Sequence, residues 1–122
     1  MRTIIAGSRN IIDYSVVKNA IENSGFWITT VLSGNADGVD KLGERYANAY
    51  YIPLEVYRAE WERYGRRRAG KIRNCLMAEK ADALIAVWDG ESTGTKHMIE
   101  EARNRGLKVF VYIVGSLDEF IT

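Results

Sequence analysis

Residues 81–95 read ADALIAVWDGESTGT, and the succession of residue classes in that stretch decides the fold. Ala83 to Trp88 (ALIAVW) is short and continuously apolar, the pattern of a strand covered on both faces. Asp89 and Gly90 break the run, and Ser92, Thr93, Gly94 and Thr95 bring hydroxyls and small residues to the entry of a helical segment. That segment, Lys96 to Asn104, has Gly106 placed as its C-cap. The same succession occurs twice upstream, where Thr3 to Ala6 (TIIA) runs into AGSR and Thr29 to Leu32 (TTVL) runs into SGNADGVD at Ser33 to Asp40. Two further runs read as strands: Leu54 to Tyr57 (LEVY), which alternates and suits an edge, and Lys108 to Val114 (KVFVYIV).

Helix-length intervals separate these runs. Tyr14 to Asn23 sets Val16, Val17, Ala20 and Ile21 on one face behind an N-cap at Asp13, and Val39 to Tyr50 does the same with Leu42, Tyr46, Ala47 and Tyr50. Ile72 to Lys80 gives another helix, and Leu117 to Ile121 is expected to add a last helical turn. Alternation of strand and helix with right-handed crossovers predicts an α/β, three-layer Rossmann-like fold. Its sheet is mostly parallel and five-stranded, with helices on both faces, in a single domain over residues 1–122. Arg58 to Gly70 stands out as a long connection carrying Trp61, Tyr64, Gly65 and Gly70, and is expected to be a loop over the crevice.

Composition adds bounds. The chain is 47% hydrophobic and 27% charged, as a globular core requires, and its early residues, MRTIIAGSR, are too poor in apolar length for a signal peptide. No run approaches the ~20 residues needed to span a bilayer, so a cytoplasmic protein is expected. The single cysteine, Cys75, excludes an internal disulfide and is expected to exclude any cysteine-based zinc site; beside Leu76 and Met77 it reads as a buried structural thiol. Net charge is +1, yet Arg58 to Arg73 holds seven basic residues against two acidic ones. That local field suits a phosphorylated ligand or a nucleic acid, or is simply a solvated basic face.

In an open parallel sheet the three glycine-bearing turns all fall at the strand carboxyl ends, where backbone N–H groups at helix starts attract anions. Gly7, Ser8 and Arg9 are one candidate phosphate-binding group, Ser33 and Gly34 a second, and Gly90, Ser92, Thr93, Gly94 and Thr95 a third. Such turns also need glycine and a capping residue when nothing binds. Asp89 is placed to accept from ribose hydroxyls or to cap its own turn. Asp37 and Asp40 suit ribose hydroxyls, the capping of the second helix, or a divalent ion, for which two carboxylates alone are a weak set. No metal is assigned, and His97 reads as solvent-facing. The apolar and aromatic stretch Ala47 to Ile52 (ANAYYI) suggests a homodimer or higher oligomer.

AGSR with the following Asp13, SGNADGVD, AEWERYGRRRAGKIRN and ADALIAVWDGESTGT, in this order, resemble the YspA-like branch of the cpYpsA-related SLOG proteins. The resemblance runs from Thr3 to about Val114. That superfamily also holds the DNA-processing protein A family and the LOG nucleoside 5'-monophosphate phosphoribohydrolases. It implies a Rossmann-like fold that binds a nucleotide or nucleotide derivative at the strand carboxyl ends, in a branch frequent in phage and bacterial genomes. Where the family's second loop reads Gly-Ala-Arg-Gly-Ala-Asp, this chain has Asn35 to Asp40, with Asp37 in place of the arginine. Its Gly-Pro-x-Arg-Asn segment becomes Gly70 to Asn74, which keeps Arg73 and Asn74 and loses the proline. Against the LOG pattern, Arg73 matches the substrate arginine and is the candidate catalytic residue. The LOG glutamate falls on Met98, with Glu100 and Glu101 turned ~200° and ~300° from it around a helix. The expected function is therefore a nucleotide-sensing or sequestering module without a further cofactor. A hydrolase cleaving an N-glycosidic bond is the alternative, and single-stranded nucleic-acid binding through Arg63 to Arg73 the second alternative.

Overall fold

The computed structural model describes residues 1–115 and the backbone of 119–121. Elements follow the order β1 (Arg2–Gly7), α1 (Tyr14–Ser24), β2 (Thr30–Ser33), α2 (Val39–Ala49), β3 (Leu54–Val56), α3 (Trp61–Lys80), β4 (Ala83–Trp88), α4 (Thr93–Asn104), β5 (Lys108–Ile113) and β6 (Glu119–Ile121). The sheet order is β3-β2-β1-β4-β5-β6, parallel from β3 through β5. Alternate residues of the strands feed two cores. Ile5, Val31, Ile85 and Val87 pack with α1 and α2 on one face, while Ile4, Leu32, Leu84 and Ala86 pack with α3 and α4 on the other. Burial on both faces explains why the central strands carry no polar alternation.

Local signals set the helix ends. Asp13 caps α1 by accepting the Ser15 N–H at 2.9 Å, as expected. Behind α4, the N–H groups of Gly106 and Leu107 return to the carbonyls of Arg103 and Ala102 at 3.1 and 3.0 Å. The end of α2 makes the same pair of bonds, from Tyr51 to Asn48 and from Ile52 to Ala47, but its left-handed residue is Tyr51, at φ 56.

Three expectations need correction. The segment 58–70 is mostly helical: α3 begins at Trp61, breaks at Gly65 (φ 78, ψ 168) and continues to Lys80. Arg66, Arg67, Arg68 and Ala69 are good helix formers, and Gly70 is tolerated because the Trp61 ring lies against it, 3.8 Å from where a Cβ would stand. Residues 119–121 form a short strand antiparallel to β5, a sixth member added to the five parallel ones, instead of a helical turn. Leu117 of that expected turn lies outside the described residues. Cys75 is half-buried and its neighbour Leu76 exposed, so that segment of α3 is less enclosed than its composition suggested.

Candidate functional site

Strand order reverses direction between β1 and β4, and the crevice this leaves at their carboxyl ends is where the turns meet. Ser8 joins all three. Its N–H donates to the Val87 carbonyl at 3.0 Å, its Oγ accepts the Asp89 N–H at 3.0 Å, and its carbonyl accepts the Val39 N–H at 3.3 Å. At 1% exposure, that hydroxyl faces protein. The flanking glycines permit the approach: a Cβ on Gly7 would stand 2.0 Å from the Val87 carbonyl oxygen, and one on Gly38, at φ 78, 2.4 Å from that of Ser8.

The second turn is bound inward as well. Ser33 is buried, donates from Oγ to Glu44 Oε2 at 2.7 Å and accepts the Asn35 N–H at 3.1 Å. Asp40 is 4% exposed, and its carboxylate accepts from the Ala36 N–H at 3.2 Å. Burial raises its pKa to about 6, against the opposing pull of the Arg73 guanidinium. Capping of α2 by an aspartate is not what the chain does: Gly38 holds the N-cap position with no side-chain bond, Asp37 is exposed, and Asp40 lies in the first turn pointing at the crevice.

Arg73 and Asn74 of α3 tie the remaining parts together. Arg73 Nη1 donates to the Gly34 carbonyl at 2.7 Å, and its Nε to Asn74 Oδ1 at 3.0 Å. Asn74, itself buried, donates from Nδ2 to the Gly94 carbonyl at 3.3 Å and sits 3.1 Å from His97 Nδ1. In the third turn, Asp89 Oδ1 accepts the N–H groups of Glu91 and Ser92 at 2.9 and 2.8 Å, bonds that hold its carboxyl below the usual carboxylate range. Trp88 Nε1 donates to the Ser92 carbonyl at 3.0 Å, and Thr95 Oγ1 to Ser92 Oγ at 3.2 Å.

These contacts frame a cleft of about 820 Å³ whose lining includes Gly7, Arg9, Asp40, Arg73, Asn74, Asp89 and Ser92 to Thr95, with Met77 and Met98 also against it. A second lobe, overlapping it at Arg9, Trp61, Arg66 and Arg73, extends past Gly34 to Arg58. Of the expected site residues, Ser8, Ser33 and Gly90 are not in the cleft lining, and Gly34 lines only the second lobe. Thr93 and Gly94 are exposed at the lip. Burial depresses the Arg73 pKa, Asp40 pulls against that shift, and Arg9, which lines the same cleft from the turn after β1, adds a smaller depression. Arg66, Arg67 and Lys71 add positive charge to the wall.

Two residues depart from the sequence reading. His97 is half-buried, touches Asn74 and lines the cleft; its one signal, a four-residue spacing to Glu101 on the face of α4 turned to α3, is silent until α3 is known. Asn10 lines the cleft with no sequence signal. Met98, in the position of the LOG glutamate, is 1% exposed, while Glu101 pairs with Arg105 at 2.8 Å.

The family described as YspA, cpYpsA-related SLOG matches residues 1–64, half of the chain. Gene 61 protein of Mycobacterium phage D29 is 32% identical, over 88% of this chain and 93% of that protein. Among solved structures, DNA processing protein A from Streptococcus pneumoniae aligns with a TM-score of 0.73 at 17% identity, over 95% of this chain and 51% of that one. This chain thus spans about half the length of that structural neighbour, and the likeness establishes the Rossmann-like fold. No helix among the described residues is long and apolar enough to cross a membrane.

Proposed function

The chain belongs to the YspA, cpYpsA-related SLOG family, and from that premise we propose that it binds a nucleotide or nucleotide derivative through its phosphate, as a sensing or sequestering module. One observation carries the reading: Arg9 and Arg73 converge in a cleft rimmed by the start of α4, with Asp40 the carboxylate beside Arg73. Asp40 offsets part of the Arg73 charge, while Arg9, Arg66, Arg67 and Lys71 leave the cleft net positive, so an anion entering it is attracted. The N–H groups and hydroxyls at Thr93 to Thr95 lie on the same rim, and Trp61 offers a ring to a base.

Nucleotide binding raises the unfolding temperature by mass action, and a ligand at 100 times its Kd stabilises by about 2.7 kcal/mol. Scanning calorimetry with submillimolar AMP, ADP and ADP-ribose is expected to show such a rise, lost in Arg9→Ala and Gly94→Val. A melting curve indifferent to every nucleotide would overturn the reading.

The hydrolase alternative draws support from a single group, Asp40, whose carboxyl titrates at about 6 in the cleft. Met98 supplies no carboxylate where LOG enzymes have one. Free base released from a nucleoside monophosphate, and not released by Arg73→Ala, is the result that would favour it. A nucleic-acid strand is favoured by Arg63, Arg66, Arg67 and Arg68 along the exposed side of α3, and predicts binding that weakens steeply with salt.

A further inference from the structure

On the face of the sheet that carries α3 and α4, the seam between these helices gathers donors that the nucleotide reading does not use. Cys75 of α3 and His97 and Glu101 of α4 offer a sulfur, a ring nitrogen and a carboxylate oxygen that all lie within 4.8 Å of one another, each residue half-buried. His97 and Glu101 are one helical turn apart and so share a face. That face is turned to α3, since a Glu101 carboxylate oxygen lies within 4.8 Å of the Cys75 sulfur and His97 meets Asn74.

We propose that Cys75, His97 and Glu101 form a binding site for a divalent transition cation of the zinc class, held by one thiolate, one imidazole and one carboxylate with a fourth position left to water. The donor set selects the ion. Magnesium and calcium take oxygen ligands, whereas zinc and its neighbours accept sulfur, nitrogen and oxygen together, and three protein ligands with one open position is an established zinc arrangement.

The spacing fits. Bonds of about 2.3 Å to sulfur and 2.0–2.1 Å to nitrogen and oxygen in a tetrahedron place donors roughly 3.3–3.6 Å apart. The donors lie no more than 4.8 Å apart, and side-chain rotation brings them to that span. One outer partner is in place as well: Arg105 Nε holds Glu101 by Oε1 at 2.8 Å, which leaves Oε2 for the ion. Asn74 donates from Nδ2 toward His97 Nδ1, and that contact gives way when the ring nitrogens turn to the ion. On binding, the Cys75 thiol gives its proton to solvent and the sulfur takes the cation in its place.

The test uses the full chain, cleared of metal with a chelator and titrated with Co²⁺ in a non-thiol reducing buffer. One equivalent is expected to produce a thiolate-to-cobalt charge-transfer band together with the strong visible absorption of four-coordinate cobalt, both removed by Zn²⁺. Cys75→Ser loses the charge-transfer band, and Cys75→Ser and His97→Ala each weaken binding by about 100-fold or more. Arg105→Gln, which keeps all three donors and removes the outer hold on the carboxylate, retains the thiolate band and binds only about 10-fold more weakly, and it covers the case in which a ligand variant fails to fold. A cobalt spectrum without the thiolate band, or equal affinity in the parent, Cys75→Ser and His97→Ala, would overturn the assignment. Nucleotide binding is read separately by calorimetry on Cys75→Ser, whose side chain does not line the cleft.

Discussion

The turn after β1 and the turn after β4 look alike in sequence, since both follow an apolar strand with glycine and serine and open a helix. They differ in what surrounds their glycines. A Cβ on Gly7 would meet the Val87 carbonyl oxygen at 2.0 Å and the Val39 side chain at 2.7 Å, whereas one on Gly90 would meet only the Ile113 side chain, at 3.8 Å, and one on Gly94, at the start of α4, nothing within 4 Å. Ser8 is sealed against Asp89 and Val87, while Thr93 is exposed at the lip. Glycine in the first turn is thus there so that the chain can pack on itself. In the second it leaves open space for something other than the chain to approach.

The strongest way to break that contrast is Gly7→Ala. Displacing a carbonyl and a valine in the centre of the sheet is expected to cost more than about 3 kcal/mol, read as a large drop in urea midpoint or failure to fold. A loss under about 1 kcal/mol would mean that the turn after β1 is as loose as the turn after β4.

Asp40, which braces the packed side, sharpens the contrast through pH. Its folded pKa of about 6 lies above the ordinary value of 3.8, so the folded state holds its proton more tightly than the unfolded chain does. Its contribution is therefore full below about pH 4 and is lost as pH rises through about 6, a difference on the order of 3 kcal/mol. Unfolding free energies measured across that window are expected to fall in the parent and to stay flatter in Asp40→Asn. Arg73 opposes the shift and Glu44 adds to it, so Glu44→Gln should narrow the window.

The converse of a packed glycine is a glycine conformation occupied by another residue. Tyr51 holds φ 56 at the end of α2 with its side chain 94% exposed, so Tyr51→Gly removes backbone strain and little packing. A gain of about 1 kcal/mol in calorimetric stability is expected. The smallest effect belongs to Gly94→Ala, which should change unfolding free energy by no more than about 0.5 kcal/mol while reducing the nucleotide-induced thermal shift.

The contrast also marks what a sequence discloses. ALIAVW, TIIA and KVFVYIV announce buried parallel strands because both faces demand apolar side chains, a constraint each residue carries locally. The start of α3 was hidden by Gly65 and Gly70, one of which does break the helix while the other is accommodated beneath Trp61. No local feature announces β6, since three residues become a strand only by pairing with β5. At the site, Arg73 and Asn74 were legible through family resemblance, and AGSR through its position after a strand. That Ser8 and Ser33 turn their hydroxyls inward, and that His97 turns toward α3, depends on partners 11 to 81 residues away, which spacing along the chain does not encode.

Arg73 and Asn74 are neighbours on one helix, yet the first grips the loop after β2 and the second grips the beginning of α4. Opposite lips of the opening are therefore yoked to a single rod. A force that rocks α3 moves both lips at once, and the mouth has one coordinate of widening instead of two. An occupant that draws in either lip draws in its counterpart.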